Sequence, residues 1–224
     1  MSDWMLGSGF DTSMEGDVSK SNNRLWKPKG SEKKILFLTS GRNAPVVWEH
    51  GYQSGGTWGH FLTCLSQAKM VCPMCLWSDA NKGKYRRSKV MFFTVLDIDG
   101  YTAKDGTKKT NIPRLMGCKK DVVDIIKRKW LSRMEAGGDL RGSIFKVYRP
   151  NSDKSASVGE DFEFVSTVDL TVPPYSEFKE FDYEKEFALE PDRMRDVVER
   201  LRVEGTEASS YFSDKVATPD SVKY

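Results

Sequence analysis

Val90-Met91-Phe92-Phe93-Thr94-Val95-Leu96-Asp97-Ile98 is rich in β-branched and aromatic side chains and apolar on both faces. That composition predicts a buried strand over 90–98. Downstream, Gly100 and the pair Asp105-Gly106 signal a hairpin over 99–109. Residues 110–116 then return as its partner, with Pro113 suiting an edge or a bulge. Over 119–136, Val122, Ile126 and Trp130 recur at four-residue steps, with Val123 and Met134 near the same face. That spacing predicts a helix, which Gly137-Gly138 would end with a left-handed cap. Residues 143–148 alternate, Phe145 and Val147 on one face and Lys146 and Tyr148 on the other. Residues 162–170 alternate too, with Phe162, Phe164 and Val168 inward. Upstream, 34–39 and 46–48 read as strands, and the Gly- and Ser-rich stretch 51–59 as a loop.

The resulting order is strand, strand, metal segment, strand, strand, helix, strand, strand. A five-stranded Greek-key barrel of the OB type carries its helix between the third and fourth strands. The expected fold is therefore mainly β with minor α: a five-stranded OB-fold-like Greek-key barrel with an inserted zinc subdomain at about 48–80. An α+β sheet with an attached zinc ribbon fits the same periodicities. Residues 1–30 read as a flexible arm that docks through Trp26 and Pro28, and 31–170 as the core. The extension 171–224 is mildly acidic; it opens on a linker with Pro173-Pro174, carries a helix at 191–203 and ends in a polar, disordered tail.

Cys72-Pro73-Met74-Cys75 is a tight turn that lets two thiolates reach one ion, and Pro73 presets its backbone. Cys64 supplies a third sulfur. Structural zinc takes four nitrogen or sulfur ligands at tetrahedral corners. His50, His60 and Cys118 are the candidates for the fourth position. His60 could share a helix face with Cys64; His50 ends the apolar run Val46-Val47-Trp48. Zinc deaminases show His-x-Glu followed by Pro-Cys-x-x-Cys. Neither histidine has Glu two residues on, and the proline lies inside the cysteine pair. A redox Cys-x-x-Cys would sit in a βαβ pattern, which is missing here. One closed, structural zinc site is the expectation, and no enzymatic activity.

The chain carries a net charge of +3, but residues 82–150 hold 18 Lys and Arg against 7 Asp and Glu. A basic centre suits a polyanionic partner. Binders of single strands combine a cationic groove with aromatic faces for stacking. The candidates are Lys84, Tyr85, Arg86, Arg87 and Lys89, then Phe92, Arg114, Lys119, Lys120, Arg141, Lys146, Tyr148, Arg149 and Lys154. Either Phe92 or Phe93 would face the ligand. An RNA- or duplex-binding zinc module would use the same basic face, and a zinc enzyme acting on nucleic acid is a third reading. No run of 18 apolar residues and no secretory start occur, so a cytoplasmic protein is expected.

Three stretches carry a family resemblance. The first runs from Trp48-Glu49-His50 through Phe61-Leu62-Thr63-Cys64 to Cys72-Pro73-Met74-Cys75. The second is Phe92-Phe93-Thr94-Val95-Leu96-Asp97. The third runs from Leu140-Arg141-Gly142 through Phe145-Lys146-Val147-Tyr148-Arg149 and Ser157-Val158-Gly159 to Asp161-Phe162-Glu163-Phe164. Together they resemble bacteriophage single-stranded-DNA-binding proteins with an OB-fold core and a zinc insertion, such as the helix-destabilising proteins of T-even phages. The resemblance implies His50, Cys64, Cys72 and Cys75 as zinc ligands. It also implies a role in phage DNA replication, recombination or repair within the host cytoplasm, with replication or recombination proteins as partners of the C-terminal extension. The basic N-terminal segment of those proteins is missing: residues 1–18 carry four acids and no Lys or Arg.

Overall fold

The computed structural model describes residues 23–203, apart from 26, 55–56 and 104. Most of the expected arm, Trp26 and the tail from 204 onward lie outside the described residues. The chain divides into two units, one built on 47–89 and 183 onward, the other on 22–46 and 90–182. It is mainly β and antiparallel, with a few helices. No helix among the described residues is long and apolar enough to cross a membrane.

The elements, in chain order, are β1 (Ser31–Phe37), β2 (Val46–Ser54), β3 (Thr57–Thr63), α1 (Pro73–Ala80), β4 (Ser88–Asp97), β5 (Tyr101–Thr102), β6 (Lys108–Lys109), β7 (Ile112–Cys118), α2 (Lys120–Glu135), β8 (Ser143–Arg149), β9 (Asp161–Thr167), α3 (Tyr183–Glu186) and α4 (Pro191–Val203). In the second unit the strands run β7, β4, β1, β8, β9, every ladder antiparallel. Ile35, Phe37, Phe93, Val95, Met116, Phe145, Val147 and Phe162 fill the core, with Val122 and Ile126 of α2. The Phe37 ring meets Phe93 and Phe145 edge-on, centroids 5.5 Å apart in both pairs. α2 ends as its glycines predict: Gly137 is left-handed, its N–H bonds Met134 O, and the Gly138 N–H bonds Arg133 O.

The expected closed barrel does not form. Among the described residues no ladder joins β7 to β9. At Leu115 the outer edge of β7 is met instead by Arg24 and Leu25. Arg24 bridges Leu115 in parallel, the Leu25 N–H bonds Leu115 O at 2.8 Å, and the Lys27 N–H bonds Ser157 O. Arg24, Leu25 and Lys27 thus belong to the fold rather than to a free arm, and α2 packs against both β7 and β9.

The opposite face of the sheet is apolar as well. Leu36, Leu38, Leu96 and Ile144 are covered by Val168, Leu170, Tyr175 and Phe178. What reads as a linker therefore folds back onto the sheet and explains why β4 is apolar on both faces. Phe164, expected inward, lies at the rim, with the Arg133 guanidinium 4.1 Å from its centroid.

In the first unit β2 and β3 pair antiparallel through the stretch expected as a loop, with Tyr52 opposite His60. Helix α4 has the bounds its sequence predicts, but it is not a free charged extension. Met194, Val197, Val198 and Leu201 join Leu62, Leu65, Met74 and Trp77 in one buried cluster.

Lys27 is fully buried, its ammonium donating to Val147 O at 3.1 Å. Burial lowers its pKa to about 7, against the pull of Asp97. The folded chain thus releases this proton near pH 7, while the unfolded chain keeps it to near its ordinary value of about 10.5. Between those values the unfolded state binds more protons, so raising the pH stabilises the fold. Comparing thermal melts of Lys27→Met and the native chain checks this. The difference should shift in favour of the native chain as pH rises from 7 to 10; a pH-independent difference would contradict it.

Candidate metal centre and basic surfaces

His50, Cys64, Cys72 and Cys75 offer four donor atoms within 4.8 Å of one another. Three local features bring them there. Strand β2 carries His50 inward, fully buried. Cys64 directly follows β3, its N–H bonded to Trp48 O at 2.8 Å, which ties it to the same hairpin. Cys72 caps the start of α1, with Pro73 in the first helical turn, where its missing N–H costs nothing. Cys75 then lies one turn on, on the same side.

The donor distances suit a tetrahedral ion. Cys64 Sγ is 3.8 Å from Cys72 Sγ and 3.5 Å from Cys75 Sγ, and His50 Nε2 is 3.5 Å from Cys72 and Cys75. Bonds of about 2.3 Å to sulfur and about 2.0 Å to nitrogen give tetrahedral edges of about 3.5 to 3.8 Å. The set is closed, with no corner left for water. His50 Nδ1 donates to Tyr85 O at 2.8 Å, which fixes the ring and leaves Nε2 free to ligate. The Ser66 hydroxyl lies 3.0 Å from Cys64 Sγ, and the Arg87 guanidinium 4.0 Å away. Both favour a thiolate. Hydrogen bonding with Cys72 and Cys75 holds the Cys64 thiol far below its usual range, and the same sharing pushes Cys75 far up. Burial opposes charge on His50, yet Cys64 and Cys72 outweigh it and raise its pKa to about 10. A metal entering the cluster must displace these protons, so its affinity falls in acid.

The other two candidates lie elsewhere. His60 is on β3, not on a helix, and its ring sits 5.4 Å from Tyr52. Cys118 is buried in the core of the second unit, where desolvation pushes its thiol up. Sequence reasoning missed Met194, whose sulfur lies 3.3 Å from Cys72 Sγ. The apolar stripe of α4 was the available signal.

The basic candidates divide between the units. In the first, Lys84, Arg86, Arg87 and Lys89 are exposed, and Arg87 lies over the Trp48 ring at 4.8 Å. Tyr85 is not an open platform: it is buried, stacked on Trp77 at 5.4 Å with the rings 12° from parallel. In the second, Lys119, Lys120 and Lys154 are exposed, and so is Tyr148. Arg141 pairs with Glu180, and Lys146 with Glu32 and Glu163. Arg114 lies over the Tyr101 ring. Phe92 and Phe93 are both buried, because β4 is covered on both faces, so neither is a stacking face. Arg149 is corrected too. By alternation it falls on the Phe145 and Val147 side, and its guanidinium bonds Lys27 O and the Ser155 hydroxyl. Tyr101, Lys108 and Lys109 were missed, although the Asp105-Gly106 turn had marked their hairpin.

No protein-family model matches the sequence, and no curated protein matches it significantly.

Cys72→Ser and Cys75→Ser should each abolish bound metal. Each should cost about 5 kcal/mol or more, a fall in melting temperature of about 10–20 °C. His60→Ala and Cys118→Ala should keep the full metal content. Elemental analysis and thermal melts of the four variants check both statements; metal retained in Cys72→Ser would contradict them.

Proposed function

We propose that the chain is a sequence-tolerant single-stranded-DNA-binding protein that holds one structural zinc ion and performs no chemistry on the strand. It coats and protects exposed strands during phage DNA replication, recombination or repair. The observation that carries this reading is the strand order of the second unit. Ladders joining β7, β4, β1, β8 and β9, with a helix between β7 and β8, follow the connectivity of an OB fold laid open at one seam. Folds of this type bind oligonucleotides across their second and third strands and neighbouring loops. Here those strands are β4 and β7; β4 is covered on both faces, so the contacts fall to the ribbon between the two strands and to the β8–β9 loop, which carries Lys154.

The zinc reading rests on the donor chemistry: three sulfurs and one imidazole, at tetrahedral spacing and with no open position. In this account His50, Cys64, Cys72 and Cys75 hold the ion. It braces the β2–β3 hairpin against α1 and, through the His50–Tyr85 hydrogen bond, fixes the loop that bears Lys84, Arg86 and Arg87 and leads into β4 at Lys89. In the first unit these cations neutralise phosphates; in the second, taken by itself, exposed Tyr148 stacks on an unpaired base. Duplex bases have no free face, which favours single strands.

Competition among oligo-dT, oligo-U and duplex DNA for the zinc-loaded chain tests the reading. Oligo-dT should compete best. Equal or better competition by duplex or oligo-U would instead mark a duplex- or RNA-binding module.

A further inference from the structure

Between β4 and β7 the chain leaves the main sheet as a separate ribbon, Tyr101 paired with Lys109 and Thr102 with Lys108. The neck of this ribbon is fixed. Gly100 has φ +61°, and a Cβ there would fall 1.7 Å from Lys109 O, so glycine alone fits. The Gly100 N–H bonds Asp97 Oδ1 at 2.9 Å. The Lys33 ammonium donates to Asp97 Oδ2 at 2.6 Å and to Gly100 O at 2.7 Å. Asp97 is itself buried. Beyond this clamp the ribbon is open: Tyr101 is 44% exposed, and Lys108 and Lys109 are exposed. The Arg114 guanidinium of β7 lies 5.8 Å from the Tyr101 centroid, over the ring. The fold thus holds an exposed aromatic ring on a fixed stalk, with Arg114 over it, Lys109 directly across the ribbon and Lys108 one residue further along.

We propose that Tyr101, Arg114, Lys108 and Lys109 form a nucleobase-stacking site on the path of the single strand. This rests on the single-strand-binding reading above and adds residues to it. The open face of Tyr101 takes one unpaired base. Arg114 backs the ring by a cation–π contact, and Lys108 and Lys109 neutralise the flanking phosphates. The fixed neck and the two rotatable bonds of tyrosine keep the ordering cost of binding low. Stacking needs a base with a free face but no particular base, so the site favours single strands without reading sequence. The phenol hydroxyl has no part in it.

Oligo-dT binding by the full chain, measured by fluorescence anisotropy against Tyr101→Ala, Tyr101→Phe and Lys108→Ala/Lys109→Ala, tests the site. Tyr101→Ala should weaken binding about 5- to 150-fold, the worth of one stacked base, and Tyr101→Phe should stay within about twofold. The double lysine variant should flatten the slope of log affinity against log salt by about 1.4, at about 0.7 per phosphate contact. Native affinity in Tyr101→Ala, or equal losses in the Ala and Phe variants, would overturn the site and leave the wider reading standing. Failure of the native chain to bind oligo-dT would overturn both. Tyr101 and both lysines are exposed, so these variants should melt with the native chain.

Discussion

A strand that is apolar on both faces must be covered twice, and β4 imposes that constraint on the second unit. Phe93 and Val95 face the core that Phe37, Phe145 and Phe162 complete. Leu96 faces the other way, onto a cluster closed by Leu170, Tyr175 and Phe178. The burial of such side chains stabilises by about 1.5–3 kcal/mol each, enough to draw a proline-rich return segment onto the sheet. With both faces occupied, polar and ligand-facing chemistry is left to the edges, loops and hairpins. The Tyr101 ribbon and the β8–β9 loop lie there.

The first unit depends on a different force. Its hairpin, one short helix and the apolar stripe of α4 surround a set of sulfurs. Without an ion, three thiols and an imidazole in a buried pocket share protons uneasily. With one, each donor is satisfied, and the hairpin and α1 are fastened at four points. Tyr85 O and Arg87 lie against this cluster, so an ion held there would also fix the cationic loop 82–87.

Local pattern carried much of this architecture. The two-faced β4, the amphipathic α2 with its glycine cap, the bounds of α4 and the cysteine spacing all depend on neighbours within a few residues. The exclusion of His60 did not: strand pairing decided it. Long-range partners hid the rest. Nothing local says that Arg24 and Leu25 take the edge of β7, or that Lys27 is buried under Val147, 120 residues away. The barrel seam was illegible for that reason. Tyr85 and Arg149 read as ligand contacts because tyrosine and arginine are usually exposed. The Trp77 ring and the Lys27 carbonyl, which hold them inward, are set by tertiary packing.

The most direct test of the account is a salt titration of oligo-dT binding on a sample whose metal content is measured in parallel. The account predicts one zinc per chain and an affinity that falls steeply and log-linearly with salt, as counterion release requires. A zinc-free protein, or binding that ignores salt, would contradict it.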